Sequence, residues 1–314
     1  MKRTLHPIIA IVLAGMLFSC GGSSEKSTGD EEGQTLTFDW QGHRGARGEL
    51  PENSLRAMQR ALYNKMKTLE MDVVITADSA VVLSHEPYMS HEICLDTAGQ
   101  PFAEVQAVQY NIYKMTLAEV QQFDCGSKTH SRFPNQEHFV TRKPTLQSVF
   151  AAAEQLALQI NRPAPYYNIE IKSRPEWDGL YHPEVPVYVD LVMKIAMEAG
   201  LEERIILQSF DPRALRYAHE HYPEITLAYL TDRREPALAA QIENLGFTPA
   251  ILSCNHQLVD QSMIEFAQRQ NMKVIPWTVN DMQRAEELIQ KYQVDGLITD
   301  FPSRMKQVRM RNGK

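Results

Sequence analysis

The feature that most constrains this chain is a regular alternation of short β-rich runs with helical patterns from about residue 36 onward. The β-rich runs number eight: LTFDWQGH, TLEMDVVI, YNIEIK, RIILQSF, ITLAYL, AILSCN, KVIPWTV and VDGLIT. Amphipathic helical stretches lie between most of them, over 51–65, 144–158, 183–200, 211–222, 259–270 and 281–292. Eight strands with following helices favour a (β/α)₈ TIM barrel over an open doubly wound sheet, and no GxGxxG follows the first strand.

Two departures from this alternation follow the second strand. TADSAVVLSHEP predicts a hairpin that turns at Asp78 and Ser79 into a further strand, AVVLSH. Residues from about 86 to 142 lack the barrel rhythm, so we interpret them as a small insertion. Loops after barrel strands collect at the C-terminal face, where we expect the insertion to lie.

The first 35 residues predict export and anchoring. Lys2 and Arg3 precede the apolar run IIAIVLAGMLF, and LFSC ends at Cys20, as in a bacterial lipoprotein signal that is cleaved before a lipidated cysteine. We therefore predict a signal peptide over 1–19, a flexible tether over 20–35 and the folded domain over 36–314. An ordinary secretory signal is the alternative. The predicted location is a bacterial membrane, on its periplasmic side or at the cell surface.

Composition narrows the class of function. The chain has 314 residues and is 43% hydrophobic, enough for a sizeable core. Its formal net charge of −7 argues against sequence-independent nucleic-acid binding, which needs a basic face, so any phosphate recognition is local. Cys94 and Cys125 have no zinc-site spacing, and an exported location permits their pairing without requiring it. The oligomeric state is not set by the sequence.

Acidic residues on two predicted strands indicate a cation site. Glu70 and Asp72 lie two positions apart and share one face of their strand, and the same parity pairs Glu170 with Lys172. Carboxylates that point into a barrel need a compensating charge. Three such residues suit a hard divalent cation, Ca²⁺ or Mg²⁺. The alternative is an ordinary set of charged positions, with Lys172 neutralising Glu170 in a buried ion pair.

Two histidines fall at strand ends on the same predicted rim. His43 ends the first strand and His85 ends the hairpin strand. A single histidine is more often a surface or hydrogen-bonded core residue, but two beside carboxylates suit a general acid and a general base. Arg44 adds donors for a phosphate or carboxylate. Asn53 either caps the next helix or orients a polar group in the site.

The rest of the first loop gives two further expectations. Gly45 and Gly48 are expected to let the backbone pass close to a ligand. Arg47 and Glu49 are expected to be solvated loop residues.

Taken together, these motifs resemble the glycerophosphodiester phosphodiesterase family. The resemblance covers nearly all of the chain after the tether, in family order, and is carried by GHRGARGELPENSLRAMQRAL, LEMDVVITADSAVVLSHEP, KMTLAEVQQFDCGS, PTLQSVF, YNIEIKS, IILQSFDPRALR, IPWTVND and VDGLITDFP. It implies a barrel enzyme that uses a divalent cation to hydrolyse a small-molecule glycerophosphodiester to glycerol 3-phosphate and an alcohol. Glu86 stands where the family commonly has Asp, which leaves the alcohol specificity open.

The resemblance also implies a role for each matching residue. The implied metal ligands are Glu70, Asp72 and Glu170, and the implied acid/base pair is His43 and His85. Substrate or phosphate binding is implied for Arg44, Lys172, Glu52, Asn53, Gln208, Phe210, Trp277 and Asn280. Simple packing in the core is the alternative for Trp277. The nucleophile, water or the substrate's own glycerol hydroxyl, is left open, as is which histidine is the acid.

Other functions account for part of the pattern. A glycoside hydrolase would use Glu70 and Glu170 as acid and nucleophile, but it leaves Arg44, Lys172 and the histidines unexplained. A non-catalytic lipoprotein that binds a phosphorylated ligand would need the pocket but not both histidines. A phospholipase acting on membrane lipid would be expected to expose an apolar lip, of which the polar insertion gives no clear sign.

Overall fold

The computed structural model describes residues 38–313, which form a nearly closed barrel of parallel strands surrounded by helices. The strands are β1 (Asp39–Gly42), β2 (Thr68–Ile75), β3 (Val81–Leu83), β4 (Tyr166–Ile171), β5 (Ile205–Ser209), β6 (Thr226–Thr231), β7 (Ile251–Cys254), β8 (Lys273–Val274) and β9 (Gly296–Thr299). Their order is β8-β7-β6-β5-β4-β2-β1-β9, while β3 pairs with β2 in antiparallel fashion. The predicted (β/α)₈ barrel, with a hairpin and an insertion after its second strand, is confirmed.

A helix follows each of the parallel strands. The helices are α1 (Leu55–Tyr63), α2 (Glu104–Ala107), α3 (Leu117–Val120), α4 (Leu146–Gln159), α5 (Val185–Glu198), α6 (Pro212–His221), α7 (Leu238–Leu245), α8 (Gln261–Arg269), α9 (Met282–Gln290) and α10 (Pro302–Asn312). The sequence patterns did not predict α7 and α10. Neither helix has a side-chain cap at its N-terminus, and the only start signal of α10 is Pro302 at its first position.

The barrel closes at its shortest strand. The predicted strand 273–279 is reduced to Lys273–Val274, because Pro276 has no N–H to contribute to a ladder. Three backbone hydrogen bonds complete the circle: Asp295 N donates to Val274 O at 2.9 Å, Ile298 N to Pro276 O at 3.0 Å, and Val279 N to Ile298 O at 2.8 Å. The ends of β8 and β9 are thereby held side by side.

Alternation along the strands sorts side chains into two environments. Leu69, Met71 and Val73 pack outward against the helices, while the intervening Glu70 and Asp72 are also buried. Inside the barrel a small apolar cluster is formed by Ile206, Ala228, Ile251, Ile275 and Ile298. The buried carboxylates of Glu70 and Asp72 therefore share the barrel interior with an apolar cluster.

The insertion has a hydrophobic core of its own. Val74 and Val82, from the β2–β3 hairpin, pack with insertion residues such as Met89. A disulfide bond joins Cys94 to Cys125 within this cluster.

Over residues 38–313, no helix is both long and apolar enough to cross a membrane. The predicted signal peptide, Cys20 and tether lie outside the described residues.

Candidate active site

A cavity of about 350 Å³ lies at the C-terminal ends of the barrel strands. The sequence-predicted residues that line it are His43, Arg44, Glu70, His85, Glu170, Lys172, Gln208, Phe210 and Trp277. Glu52 and Asp72 are not part of this lining but contact Arg44, which is. Asn53 and Asn280 lie further back, where they are hydrogen-bonded to Asp72 and Asp300. The structure thus brings nine of the predicted side chains to one cavity and places four behind it.

Three carboxylates meet at the base of this cavity, two in its lining and Asp72 directly behind it. One oxygen from each of Glu70, Asp72 and Glu170 lies within 4.8 Å of the other two, and all three residues are buried. The register of β2 and β4 places Asp72 directly beside Glu170, so the cluster follows from parallel strand pairing. Oxygen donors at this spacing fit a hard divalent cation.

The electrostatics of the three carboxylates also fit a divalent cation. Burial, together with repulsion from Asp72, raises the pKa of Glu70 well above its usual value. Burial also raises the pKa of Glu170 to about 7, although Lys172 opposes the shift. Burial would raise the pKa of Asp72 as well, but Arg44 and Lys172 outweigh it and hold that pKa well below its usual value. Among residues 38–313 Glu70 has hydrogen-bond donors but no ion-pair partner, so the cluster has negative charge that a cation would neutralise.

Arg44 connects the first loop to this cluster. Its backbone N–H donates to Oε2 of Glu70 at 2.7 Å, and its Nε lies 3.1 Å from Oδ2 of Asp72.

The expectation that Gly45 and Gly48 let the backbone pass close to a ligand is wrong. A Cβ on Gly45 would lie 2.5 Å from the backbone of Ala57, so this glycine permits close packing on α1 instead of contact with a ligand. Gly48 is similarly packed against the ring of Phe301.

Arg47 and Glu49 are not solvated loop residues, contrary to expectation. Arg47 is 5% exposed, lines the cavity, and lies with its Nε 2.5 Å from Oε2 of Glu52. Glu49 accepts a hydrogen bond from the backbone N–H of Ser303 at 2.9 Å and pairs with Arg60. Ser303 is distant in the chain, so no local pattern could reveal that Glu49 has a partner.

Glu52 and Asn53 support the residues that line the cavity. Glu52 is held between Arg44 and Arg47, and these guanidinium groups overcome the effect of burial and lower its pKa. Asn53 donates to Oδ2 of Asp72 at 3.0 Å and accepts from the backbone N–H of Asp72 at 3.3 Å. Asn53 therefore orients a polar group in the site, and Ser54 is the residue that caps α1.

Each histidine is held by a carboxylate. His43 Nδ1 lies 2.6 Å from Oδ1 of Asp300, and His85 Nδ1 lies 2.6 Å from Oε1 of Glu86. A carboxylate can only accept, so Nδ1 carries the proton and Nε2 is the basic nitrogen of the neutral ring. Burial lowers the pKa of His43, and burial together with Arg44 lowers the pKa of His85 to about 4.

Asp300 is a site residue that the sequence interpretation missed. Its carboxylate accepts from Nδ2 of Asn280 at 2.7 Å, and its backbone N–H donates to Oδ1 of Asn280 at 2.9 Å. Asn280 therefore positions the partner of His43. The available signal was that Asp300 directly follows the last strand, on the same rim as the other strand-end residues.

A chain of hydrogen bonds crosses the barrel interior beneath the carboxylates. Gln41 Nε2 donates to Asp39 at 2.8 Å, and Asn168 Nδ2 donates to Gln41 Oε1 at 2.8 Å and to Gln208 Oε1 at 3.2 Å. Gln208 Nε2 then donates to Oε1 of Glu70 at 2.9 Å. Asn168 donates to the amide oxygens of both glutamines, so the NH₂ group of Gln41 faces Asp39 and that of Gln208 faces Glu70. Gln208 consequently presents a donor to Glu70.

Aromatic side chains form the opposite wall. The rings of Phe210 and Trp277 meet edge to face with centroids 5.7 Å apart, and Leu230 and Ile298 line the same cavity. Trp277 Nε1 donates to the carbonyl of Ser253 at 3.0 Å. Trp277 therefore both packs and lines the pocket, which combines its two predicted roles.

This fold and this grouping of carboxylates, guanidinium groups and imidazoles define a (β/α)₈-barrel enzyme. A family model described as the glycerophosphoryl diester phosphodiesterase family matches residues 43–304. The chain belongs to that family, as its motifs predicted.

Individual relatives agree with this membership. A glycerophosphodiester phosphodiesterase of Caldanaerobacter subterraneus subsp. tengcongensis is 30% identical over 263 residues, which cover 83% of this chain and 93% of that protein. The solved structure of a candidate glycerophosphoryl diester phosphodiesterase from Silicibacter pomeroyi has a TM-score of 0.77 at 26% identity and covers 88% of this chain and 94% of that one. An Oleispira antarctica phosphodiesterase, solved with its product sn-glycerol-3-phosphate, shares the fold with a TM-score of 0.67 at 22% identity, covering 86% and 96%.

Proposed function

We propose that this enzyme hydrolyses glycerophosphodiesters to glycerol 3-phosphate and an alcohol, and that it requires a divalent cation. The observation that carries the proposal is the buried cluster of three carboxylates, flanked in one cavity by Arg44, Lys172 and two histidines. The names of the Caldanaerobacter and Oleispira relatives support the same substrate class. A glycoside hydrolase would leave these cations and imidazoles without a role, and a non-catalytic protein that binds a phosphorylated ligand would not need both histidines.

Glu70, Asp72 and Glu170 would hold the cation, which is Ca²⁺ or Mg²⁺ by the hardness of its oxygen donors. When bound, it supplies positive charge that polarises the phosphoryl group. Arg44 and Lys172 lie against the same carboxylates, with Lys172 Nζ 2.8 Å from Oε1 of Glu170. Their remaining N–H donors stabilise the negative charge that develops on the phosphoryl oxygens.

The histidines perform the proton transfers. Each ring is held through Nδ1 by a carboxylate, so a neutral ring accepts a proton at Nε2 and a protonated ring returns one from the same atom. One histidine deprotonates the nucleophile, and the other protonates the departing alcohol oxygen. The nucleophile is water or the glycerol hydroxyl of the substrate. Phosphorus NMR of the reaction mixture distinguishes them, because only the second gives a cyclic phosphate.

The test is a cation-supplemented assay of the purified protein on glycerophosphocholine and glycerophosphoethanolamine. Glycerol 3-phosphate is expected only when Ca²⁺ or Mg²⁺ is present. Full activity in excess chelator would contradict the metal assignment. Hydrolysis of aryl glycosides, or tight binding of glycerol 3-phosphate without turnover of any diester, would contradict the proposed reaction.

Lipid anchoring is part of the proposal, on the basis of residues 1–35 alone. Export with cleavage before Cys20 would place a thioether-linked lipid on the cysteine. Expression in a bacterial host with labelled palmitate is expected to label the chain, and Cys20→Ser is expected to abolish the label. Release of unlabelled wild-type protein as a free exported enzyme would favour the ordinary secretory signal.

A further inference from the structure

A second, smaller cavity adjoins the main one on the side of His85. Its volume is about 50 Å³, room for a few water molecules or one small polar group. Both cavities share the lining residues Arg44, Arg47, His85, Glu86 and Arg132. The two cavities therefore lie side by side, and His85 belongs to the wall of both.

The side pocket contains an ammonium group without a protein partner. Lys143 lines the pocket and is only 6% exposed. Within residues 38–313 it has no hydrogen-bond or ion-pair partner, and the carboxylates of Glu52 and Glu86 attract it only from longer range. A buried charge is costly unless it is paired. The position therefore favours an anion that enters from the cavity.

The carboxylates around the pocket are engaged elsewhere or face solvent. Glu52 lies between Arg44 and Arg47, at 2.8 Å and 2.5 Å. Glu86 accepts from His85, and Glu92 at the rim is exposed. Arg132 adds a second cation at the mouth. The charge left to recognise a ligand in the depth of the pocket is positive.

We propose that the side pocket binds an anionic group on the alcohol half of the substrate, and that the enzyme thereby selects alcohols carrying a carboxylate or a phosphate monoester. The inference rests on the proposed function and adds the class of alcohol. The glycerol half has no anionic group besides the reacting phosphate, so an anion that reaches Lys143 belongs to the alcohol. The ammonium group acts as a point charge and accepts either kind of anion.

Matched substrate pairs test this selection. Glycerophosphoserine differs from glycerophosphoethanolamine by one carboxylate, and glycerophosphoinositol 4-phosphate differs from glycerophosphoinositol by one phosphate. The wild-type enzyme is expected to show a kcat/KM ratio of about tenfold or more within at least one pair, the size of one charged hydrogen bond. The pair that shows it identifies the anion. Lys143→Met is expected to bring that ratio close to one, mainly through KM.

Two further variants keep the test decisive. Lys306→Met, at an exposed position on α10, is the matched control and is expected to retain the wild-type ratio. Arg132→Gln changes an exposed residue, so it reports on the same ratio even if Lys143→Met fails to fold. A wild-type ratio near one in both pairs, or an equal loss for both members of a pair in Lys143→Met, would overturn the subsite. In either case the substrates without the extra anion are still hydrolysed, whereas failure to hydrolyse any glycerophosphodiester would overturn the proposed function as well.

Discussion

The imidazole of His43 is held through Nδ1 by Oδ1 of Asp300 at 2.6 Å, across 257 positions of the chain. The pair joins the end of the first barrel strand to the residue after the last one, so it exists only once the barrel closes. Burial opposes protonation of His43, and Asp300 favours it. The carboxylate therefore fixes the tautomer and, in the acid/base role proposed for His43, would stabilise the imidazolium.

Replacing either histidine should lower turnover and spare the fold. His43→Ala and His85→Ala are each expected to reduce kcat by about 10²-fold or more, because general acid and base catalysis contribute on that scale. Steady-state kinetics with saturating cation, together with circular dichroism, measure this. A variant with normal kcat would remove that histidine from the acid/base role.

Asp300→Asn should reduce kcat by about 10²-fold without weakening the cation site, because Asp300 positions His43 and does not contact the three carboxylates. Isothermal titration with Mg²⁺ or Ca²⁺ measures the second part. Asp281→Asn is the matched control, since that carboxylate caps α9. It should cost at most about 1 kcal/mol of stability and leave kcat unchanged. Equal kinetic effects in both variants would contradict the role of Asp300.

Cation affinity should fall as the pH falls through about 7. The pKa of Glu170 is raised to about 7 in the folded protein, so this carboxyl is ionised above that pH and protonated below it. The cation binds the ionised form, and each unit of pH below the pKa should weaken binding by about tenfold or more. Titration calorimetry in buffers of different ionisation enthalpy would show the released proton. Affinity independent of pH between 6 and 8 would contradict the ligand assignment.

The hydrogen-bonded side-chain amides of Gln41, Asn168 and Gln208 should affect the cation affinity of the carboxylate cluster above them. Asn168→Leu removes the donor that orients Gln208, so Gln208 no longer has a fixed NH₂ group towards Glu70. We expect a loss of about 1–3 kcal/mol in the free energy of unfolding and a weaker cation affinity. Ser253→Ala removes another interior hydrogen bond, to the carbonyl of Ile275, and serves as control. This control should lower only the stability. An equal change in cation affinity in both variants would contradict the role of Asn168 in orienting Gln208.

The disulfide in the insertion should stabilise the folded state. Cys94 and Cys125 close a loop across a sequence separation of 31 residues, and a cross-link of that length contributes about 3–4 kcal/mol through the entropy of the unfolded chain. Cys94→Ser with Cys125→Ser should lower the Tm, and reducing agent should lower the wild-type Tm to a similar value. A reductant-insensitive Tm in the wild-type protein would contradict this contribution.

Local chemistry explains which elements were predictable. Strands with alternating residues, such as 68–75, and helices with a capping residue, such as α1 with Ser54, carry their signals within a few positions. Helices α7 and α10 lack such caps, and β8 is shortened where Pro276 interrupts the ladder. These misses come from weak local signals and not from an error in the overall pattern.

In the candidate site, too, the predictable residues are those that carry a local signal. Glu70, Asp72 and Glu170 were predictable as a group, because side chains two apart on a strand share a face and parallel strands end on one rim. The pairing of Cys94 with Cys125 stayed open, because it depends on how the insertion folds. Arg47, Glu49 and Lys143 could not be placed, since burial and pairing depend on neighbours far along the chain.

The sequence by itself determined the barrel, its insertion, the family and the side chains that reach the catalytic rim, because periodicity and strand-end position are local properties. Only the tertiary structure decided which charges are paired. It holds His43 against Asp300, places Glu52 between two arginines, and leaves the ammonium of Lys143 buried without a partner among residues 38–313. The physical reason is that the strength of a charge interaction depends on distance and burial, which are set when remote segments of the chain pack together.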